Sequence, residues 1–529
     1  MTGPKLLNDD QIKTFIVDGF ISLKADVAPE VNDDIHRLLK ISSENESHHG
    51  NNVLSRVPKM HEVLRCATID GALLSLLGPD YLLHPHRVLH KSTPLNKKLE
   101  NYSLSTDGHQ MGKGSTATSL WHQDAQSPLA RARHHLPKYL IGFYYPHAVT
   151  KAMGPSRIQL GSYMHSKLSE LTNLYQPDFV EAGTFLLMHF DTVHAGFPNQ
   201  ADADRYMMKF VFARTSCPDG PSWDHRDGGW HMPSSALNTE DLSPAWIYIW
   251  DWMRGKHTGE LSTLNPPALI DPIEGTAETI RIRNIYSSTH AREISALVDS
   301  LLDKKGLDKH QRLLLKDSDG NEIPKDDTSG SEIRWNERAV VMEDATYRLA
   351  SMGQAAIEPL LGVIEANDPW LQINASFALG EIGISTEAVQ LCLLRLLGSQ
   401  HHQVVRQALD TLAVMASHLN EQCFSELKRL VCESNPDWCE PIVFRGWTGQ
   451  DQVRMNIALI LLNAARMPSF ASEVEEIGVL LLRDANGYAS AISAEAMIRL
   501  NTRSALSAAI QFLSDRRWDD TLIGHTKPY

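Results

Sequence analysis

A chain of 529 residues exceeds the size at which a single hydrophobic core stops growing, so two or more domains are expected. With 42% hydrophobic and 22% charged residues it has the composition of a folded globular protein, far from the disordered and collagenous classes. A net charge of -14, with no local basic patch to offset it, argues against nucleic acid and anionic membrane surfaces as partners.

Six cysteines stand scattered at Cys66, Cys217, Cys392, Cys423, Cys432 and Cys439. They lack CxxC spacing and are too thin for a disulfide scaffold, which fits a reducing cytoplasm. The opening MTGPKLLNDDQIK has no apolar signal-peptide core, and no apolar run is long enough to span a bilayer. A soluble, cytoplasmic protein is expected.

Residues 8 to 24, NDDQIKTFIVDGFISLK, predict helix, turn and strand: a cap-like Asn-Asp pair, helical spacing at Ile12, Phe15 and Ile16, and a break at Gly19. In LLHPHRVLHK, His84, His86 and His90 alternate as on a strand, but no carboxylate or cysteine stands near; they read as surface or pocket-lining residues rather than a second metal site.

The sharpest chemical signal is TSLWHQDAQSP, residues 118 to 128. On a strand, His122 and Asp124 project to one face, so an imidazole and a carboxylate reach one ion. An isolated HxD is common by chance, and each residue alone has a structural explanation: a hydrogen-bonded histidine, or an aspartate capping a turn. His134-His135 reads as a polar loop.

From about 138 to 215 short apolar runs alternate with Gly, Pro and Asn (KYLIGFYYP, SRIQLGSY, GTFLLMHF, RYMMKFVFAR), the texture of a sandwich or jelly-roll core. Within it, GTFLLMHFDTVHAGFPNQADADR places a second imidazole, His194, after a Gly-led strand, with Asn199 and Arg205 beyond. Two histidines and one carboxylate make the facial triad that leaves positions on Fe(II) open for cosubstrate and oxygen. His189, five residues before His194, is a rival ligand without an arginine at the matching distance.

Farther on, PAWIYIWDWMRG, residues 244 to 255, reads as a helix packed against the barrel rather than a substrate-stacking surface. The segment KDSDGNEIPKDDTSGSE, residues 316 to 332, has linker composition. Beyond it the sequence echoes itself at Val341, Leu371, Val405, Val453 and Tyr488, with one insertion around NPDWCEPIVFRGW. Ala/Leu-rich helices paired in this way predict a stacked α-solenoid resembling HEAT repeats, in which Arg406 and Arg454 act as inter-repeat hydrogen-bond donors. The expected organisation is a multidomain chain: a jelly-roll domain with the metal triad over 1–260, a helical connector and polar linker over 261–335, a HEAT-like domain over 336–515 and a tail over 516–529.

The stretches DQIKTFIVDGF, WHQD, MGPSRIQLGS and HAGFPNQADADR together resemble the phytanoyl-CoA dioxygenase family of non-haem iron oxygenases, over roughly the first 215 residues. The resemblance implies a double-stranded β-helix (jelly-roll, cupin-like) with flanking helices, and His122, Asp124 and His194 as the catalytic iron ligands. Arg205, eleven residues after His194, then holds the distal carboxylate of 2-oxoglutarate. A planar guanidinium suits that task because it grips a carboxylate bidentately.

The resemblance further implies that Lys91, in HKSTP, and Phe143, in IGFYYP, line the cosubstrate pocket; Gln123, between two ligands, is expected to contact it too. The cofactors implied are Fe(II), 2-oxoglutarate and O2, with hydroxylation of a small-molecule C–H bond and release of succinate and CO2. Retention of Asp124 favours hydroxylation over halogenation, because halogenating relatives carry a small residue there. Two positions depart from the family pattern, where Tyr163 and Gly196 replace a basic residue and a small hydroxyl; neither is a ligand. The rival expectation, from another class, is a non-catalytic scaffold whose helical repeats bind a protein partner and whose barrel is vestigial or merely structural.

Overall fold

The computed structural model describes residues 3–45, 50–94, 121–124, 132–166, 171–256, 276–287, 291–306, 314–316, 322–324, 340–439 and 448–515. Helix α1 (Asp9–Asp18) starts where the Asn8 side chain accepts the Gln11 amide and the Gln11 side chain accepts the Asn8 N–H, two otherwise orphaned donors satisfied reciprocally. Gly19 ends it at φ +77°, where a Cβ would also press on the Tyr163 ring, and the chain turns directly into β1 (Phe20–Lys24). Helices α2 (Pro29–Asn45), α3 (Val53–Arg56), α4 (Met60–Leu64) and α5 (Ala67–Leu77) follow, then the long strand β2 (Leu82–Ser92).

The remaining strands are β3 (Tyr139–Tyr145), β4 (Val149–Thr150), β5 (Arg157–Gln159), β6 (Leu174–Tyr175), β7 (Phe179–Val180), β8 (Thr184–His189), β9 (His194–Ala195) and β10 (Arg205–Ala213). Five form an antiparallel sheet in the order β1-β8-β3-β10-β2; three form a smaller sheet, β6-β5-β9; β4 pairs with β7. Side chains alternate across the large sheet, so its two faces carry different cores. Leu140, Tyr144, Phe185, Leu187, Met208, Phe210 and Phe212 pack with helical residues such as Ile16, Ile35 and Leu73. Ile141, Phe143, Leu186, Met188, Met207 and Val211 pack instead with Ile158 of the small sheet. Two antiparallel sheets therefore face each other, with helices backing the larger one.

Three more helices come next: α6 (Ser243–Met253), α7 (Ala277–Tyr286) and α8 (Ile294–Leu302). The aromatic run does pack as a helix: Trp246, Trp250 and Trp252 of α6 are buried, and α6 lies against α1 and α7. Of the polar stretch 316–332, only 316 and 322–324 are described; β11 (Leu314–Lys316) pairs there with β12 (Glu322–Pro324).

The C-terminal part is helical: α9 (Asp344–Ser351), α10 (Ile357–Ile364), α11 (Pro369–Ile382), α12 (Glu387–Leu396), α13 (His402–Val414), α14 (Glu421–Cys432), α15 (Gly449–Ala464), α16 (Ala471–Leu482), α17 (Gly487–Leu500) and α18 (Arg503–Asp515). Helices α9, α11, α13, α15 and α17 pack side by side as one layer; α8, α10 and α12, and then α14, α16 and α18, lie outside it. Helices α7 and α8 already contact α9, so the helical packing begins before the polar stretch. Arg406 donates to Gln452 and Arg454 to the Val431 carbonyl, so both bridge neighbouring helices. The tail 516–529 and residues 257–275 lie outside the described residues. Among the described residues no helix is long and apolar enough to cross a membrane.

The inner layer meets the barrel directly. Glu381 of α11 accepts from Lys138 at 2.8 Å and pairs with His134 at 2.7 Å, all three buried. His135 stacks on Tyr347 at 4.0 Å between ring centroids and meets the Tyr286 hydroxyl. These histidines are thus interface residues rather than a polar loop, because the helical layer covers the surface they would otherwise expose. Asn463 of α15 donates to the Thr215 carbonyl, and Arg499 of α17 to those of Asp80 and Tyr81.

Candidate metal centre

His122 and His194 form a hydrogen-bonded antiparallel pair, exchanging both N–H···O=C bonds at 3.0 and 2.9 Å, so their imidazoles leave the backbone on one side. Their ring centroids are 4.5 Å apart. Asp124, two residues along, shares that face. His122 Nε2 lies 3.8 Å from one Asp124 oxygen and His194 Nε2 3.9 Å from the other, and the ligand atoms of all three lie within 4.8 Å of one another. Those gaps are too long for hydrogen bonds. The described residues hold one cluster of this kind.

The tautomer of His194 is set by its own turn. Its Nδ1–H donates to the Thr192 carbonyl at 2.9 Å, which leaves the Nε2 lone pair facing Asp124, the state a metal ligand needs. Burial, reinforced by the neighbouring His122, holds its pKa down to about 3, so the ring is neutral at physiological pH. For Asp124 burial acts upward, but the charge of Lys209 and then the two imidazoles overcome it and hold the carboxyl well below the ordinary range. A carboxylate and two imidazoles on one face make the donor set of a divalent transition metal.

Arg205 opens β10 and faces the same side as Met207, Lys209 and Val211. It is 6% exposed, and its Nε and Nη1 have no hydrogen-bond partner among the described residues. A buried guanidinium without an acceptor is costly, and a ligand carboxylate removes that cost. Burial lowers its pKa from the ordinary value without threatening its charge. A Cβ at Gly196 would sit 3.9 Å from Arg205 Nη2, so the missing hydroxyl at 196 would have lain beside this guanidinium. Phe143 closes the other flank, its ring edge-on to His194 at 5.4 Å.

Two expected pocket residues are placed elsewhere. Lys91 pairs in register with Tyr206, on the helix-backed face of the sheet, and forms an ion pair with Asp204 at 2.9 Å. One residue earlier, His90 turns inward; burial and then the Lys209 charge hold its pKa down to about 3, and Asp124, Arg205 and His194 also act on it. A shift of one position on a strand reverses the face, and the motif alone does not fix that register. Gln123 points away from His122 and Asp124, between which it sits: its amide donates to the carbonyls of Ser162, His165 and Asp191. It holds the turn that carries His194.

Other residues fall into place around these. His189 spans the Leu136 carbonyl and the Asp191 amide and stacks on Tyr163, on the face opposite the candidate metal group. Tyr163 itself donates to the Ile16 carbonyl and is part of the packing behind the sheet. His84 and His86 meet Tyr488 of α17. Asn199 ties the loop between His194 and Arg205 to the Ser92 carbonyl. Sequence reasoning missed Lys209, whose ammonium contacts Asp124; the available signal was a lysine four residues after Arg205 on an otherwise apolar strand face.

No protein-family model matches the sequence, and no curated protein is significantly similar to it. Solved structures are similar to part of the chain. A non-haem monooxygenase, the ThoJ–Ni complex, is 16% identical over 46% of this chain and 94% of its own, with a TM-score of 0.28. SnoK, an α-ketoglutarate-dependent carbocyclase from nogalamycin biosynthesis, is 14% identical over 41% and 88%, with a TM-score of 0.30. HygX from Streptomyces hygroscopicus, solved with nickel and 2-oxoglutarate bound, is 12% identical over 44% and 95%, with a TM-score of 0.28. Scores this low decide nothing about the chemistry, which rests on the side chains described above.

Proposed function

We propose that this chain is an Fe(II)- and 2-oxoglutarate-dependent oxygenase of the phytanoyl-CoA dioxygenase type, hydroxylating a C–H bond of a small-molecule substrate, with a HEAT-like helical region built onto it. The observation that carries this reading is the convergence of His122, Asp124 and His194 beside a buried arginine, Arg205, whose Nε and Nη1 have no acceptor among the described residues. When bound, iron and 2-oxoglutarate supply activation of O2 coupled to formation of succinate and CO2.

The residues divide the remaining work. His122, Asp124 and His194 would hold the ion and leave the rest of its coordination sphere open. Arg205 would take the far carboxylate of the cosubstrate and fix its orientation. Phe143 and the apolar face behind it keep water from the metal side. A carboxylate at 124 fills the position a halide would need, which favours hydroxylation.

Much of the inner helical layer is occupied by the barrel, so under this reading a protein partner would meet the outer layer, where α10, α12 and α14 line a groove of about 830 Å³. The test of the activity is succinate formation from 2-oxoglutarate with Fe(II) and O2, comparing the native chain with His122→Ala. Turnover is expected for the native chain and at least a hundredfold less for the variant. Silence in both, with no metal bound, would leave the scaffold reading standing.

A further inference from the structure

Lys209 is an unusual residue to find inside a barrel. It stands on β10 between Phe143 of β3 and Val88 of β2, its register partners, and is 9% exposed. Neither neighbour offers it an acceptor. Asp124 is its only hydrogen-bond partner among the described residues, and Asp124 is also the carboxylate of the metal group. A buried ammonium is costly unless paired. A carboxylate has a second oxygen to offer, yet a divalent ion on Asp124 would stand at short range from this ammonium and repel it, which favours a new anion for Lys209.

The surrounding charges say which. Once a divalent ion takes Asp124, that ion, Arg205 and Lys209 share Asp124 as the acidic side chain of the described site. A dianionic cosubstrate leaves this assembly net positive, and one further carboxylate neutralises it. We propose that Lys209 is a second anion-binding residue of the site: displaced from Asp124 by the metal, its ammonium receives a ligand carboxylate. The inference rests on the metal-centre reading above. That carboxylate has two sources: the metal-side end of 2-oxoglutarate, whose charge is already counted and which would leave the site one charge positive, or an acid group on the primary substrate, which supplies the further charge.

The test uses the full chain and Co(II) as a probe metal, with calorimetric titration of native, Lys209→Met and Lys209→Arg proteins. Co(II) alone is expected to bind Lys209→Met about tenfold more tightly than native, because no ammonium has to leave Asp124. One carboxylate should then bind about tenfold more weakly to that variant, with Lys209→Arg near native. Loss in a 2-oxoglutarate titration assigns Lys209 to the cosubstrate; loss of benzoate binding to the Co(II)–2-oxoglutarate protein, with benzamide unaffected, assigns it to a substrate acid. Unchanged affinity for both carboxylates overturns the proposal, whatever the metal does. A native chain that takes up no Co(II) sinks the metal-centre reading instead, and that result is in hand before any variant is compared. Folding of each variant is checked by its thermal transition.

Discussion

An imidazole that gives its Nδ1 proton to a carbonyl has only Nε2 left to offer, and His194 is fixed in that state by Thr192. Arg205 is the complementary case, a donor whose Nε and Nη1 find no acceptor among the described residues. Replacing it by alanine is expected to raise the KM for 2-oxoglutarate at least tenfold while leaving Co(II) affinity within about threefold, since it touches no metal ligand. Equal loss of metal and cosubstrate binding would show instead that the site had collapsed. At this scale the sequence was readable where chemistry dictates residue type and period: HxD puts two donors on one strand face, and an arginine follows the second histidine. It was unreadable where the answer depends on strand register, so Lys91 stood in for His90, and on a side chain with no motif, so Lys209 went unseen.

Between residues and whole domains, the short turn from Phe190 to Val193 sets where His194 begins. Arg133 pairs with Asp191 at 3.0 Å with both side chains essentially fully buried, and the Gln123 amide takes the Asp191 carbonyl. Arg133 is in turn held from the helical side: its N–H donates to the Val340 carbonyl, and its own carbonyl accepts the Tyr347 hydroxyl. Breaking a buried ion pair from one side leaves an uncompensated charge, so Arg133→Met is expected to cost about 3 kcal/mol in urea unfolding. Arg133→Lys should recover part of that, and a cost below about 0.5 kcal/mol would show the pair to be unimportant. Elements with strong periodicity were legible in the sequence, α1 with its Asn8 cap and the Trp-rich α6 among them. The Arg133–Asp191 link was not, because 58 positions separate its ends and no period connects them.

Over the whole molecule, the two halves meet through buried charge. Burial pushes the Glu381 carboxyl up, but Lys138 and His134 overcome it and hold it down to about 2. A depressed carboxyl stabilises the fold above its unfolded value and loses that contribution as pH falls toward 2. Buried histidines act earlier. Burial holds His135 well below its ordinary value, and burial with the His36 charge holds His147 down to about 4. The unfolded chain takes up those protons near pH 6.5 while the folded one refuses them, so stability falls as pH drops from 6.5 toward 4. The urea midpoint is expected to be lower at pH 5.0 than at 7.5, in one transition seen alike by near-UV and far-UV signals. Two separated transitions would mean that the halves unfold independently, as a linker-based reading of the sequence suggests. Composition and repeat spacing announced two kinds of architecture but carried no trace of how they join, since Glu381, Asn463 and Arg499 lie on helices whose pattern reads as ordinary.

Stacked helix pairs ordinarily lengthen or shorten with little penalty, because each unit touches only its neighbours. Here α11 grips the strand region near 138, α15 the carbonyl at 215 and α17 those at 80 and 81. Excising or duplicating one pair would slide every later grip off its anchor. The number of units in this array is therefore frozen by the barrel it embraces, and descendants of this protein should vary in loops and outer surfaces while keeping the same count.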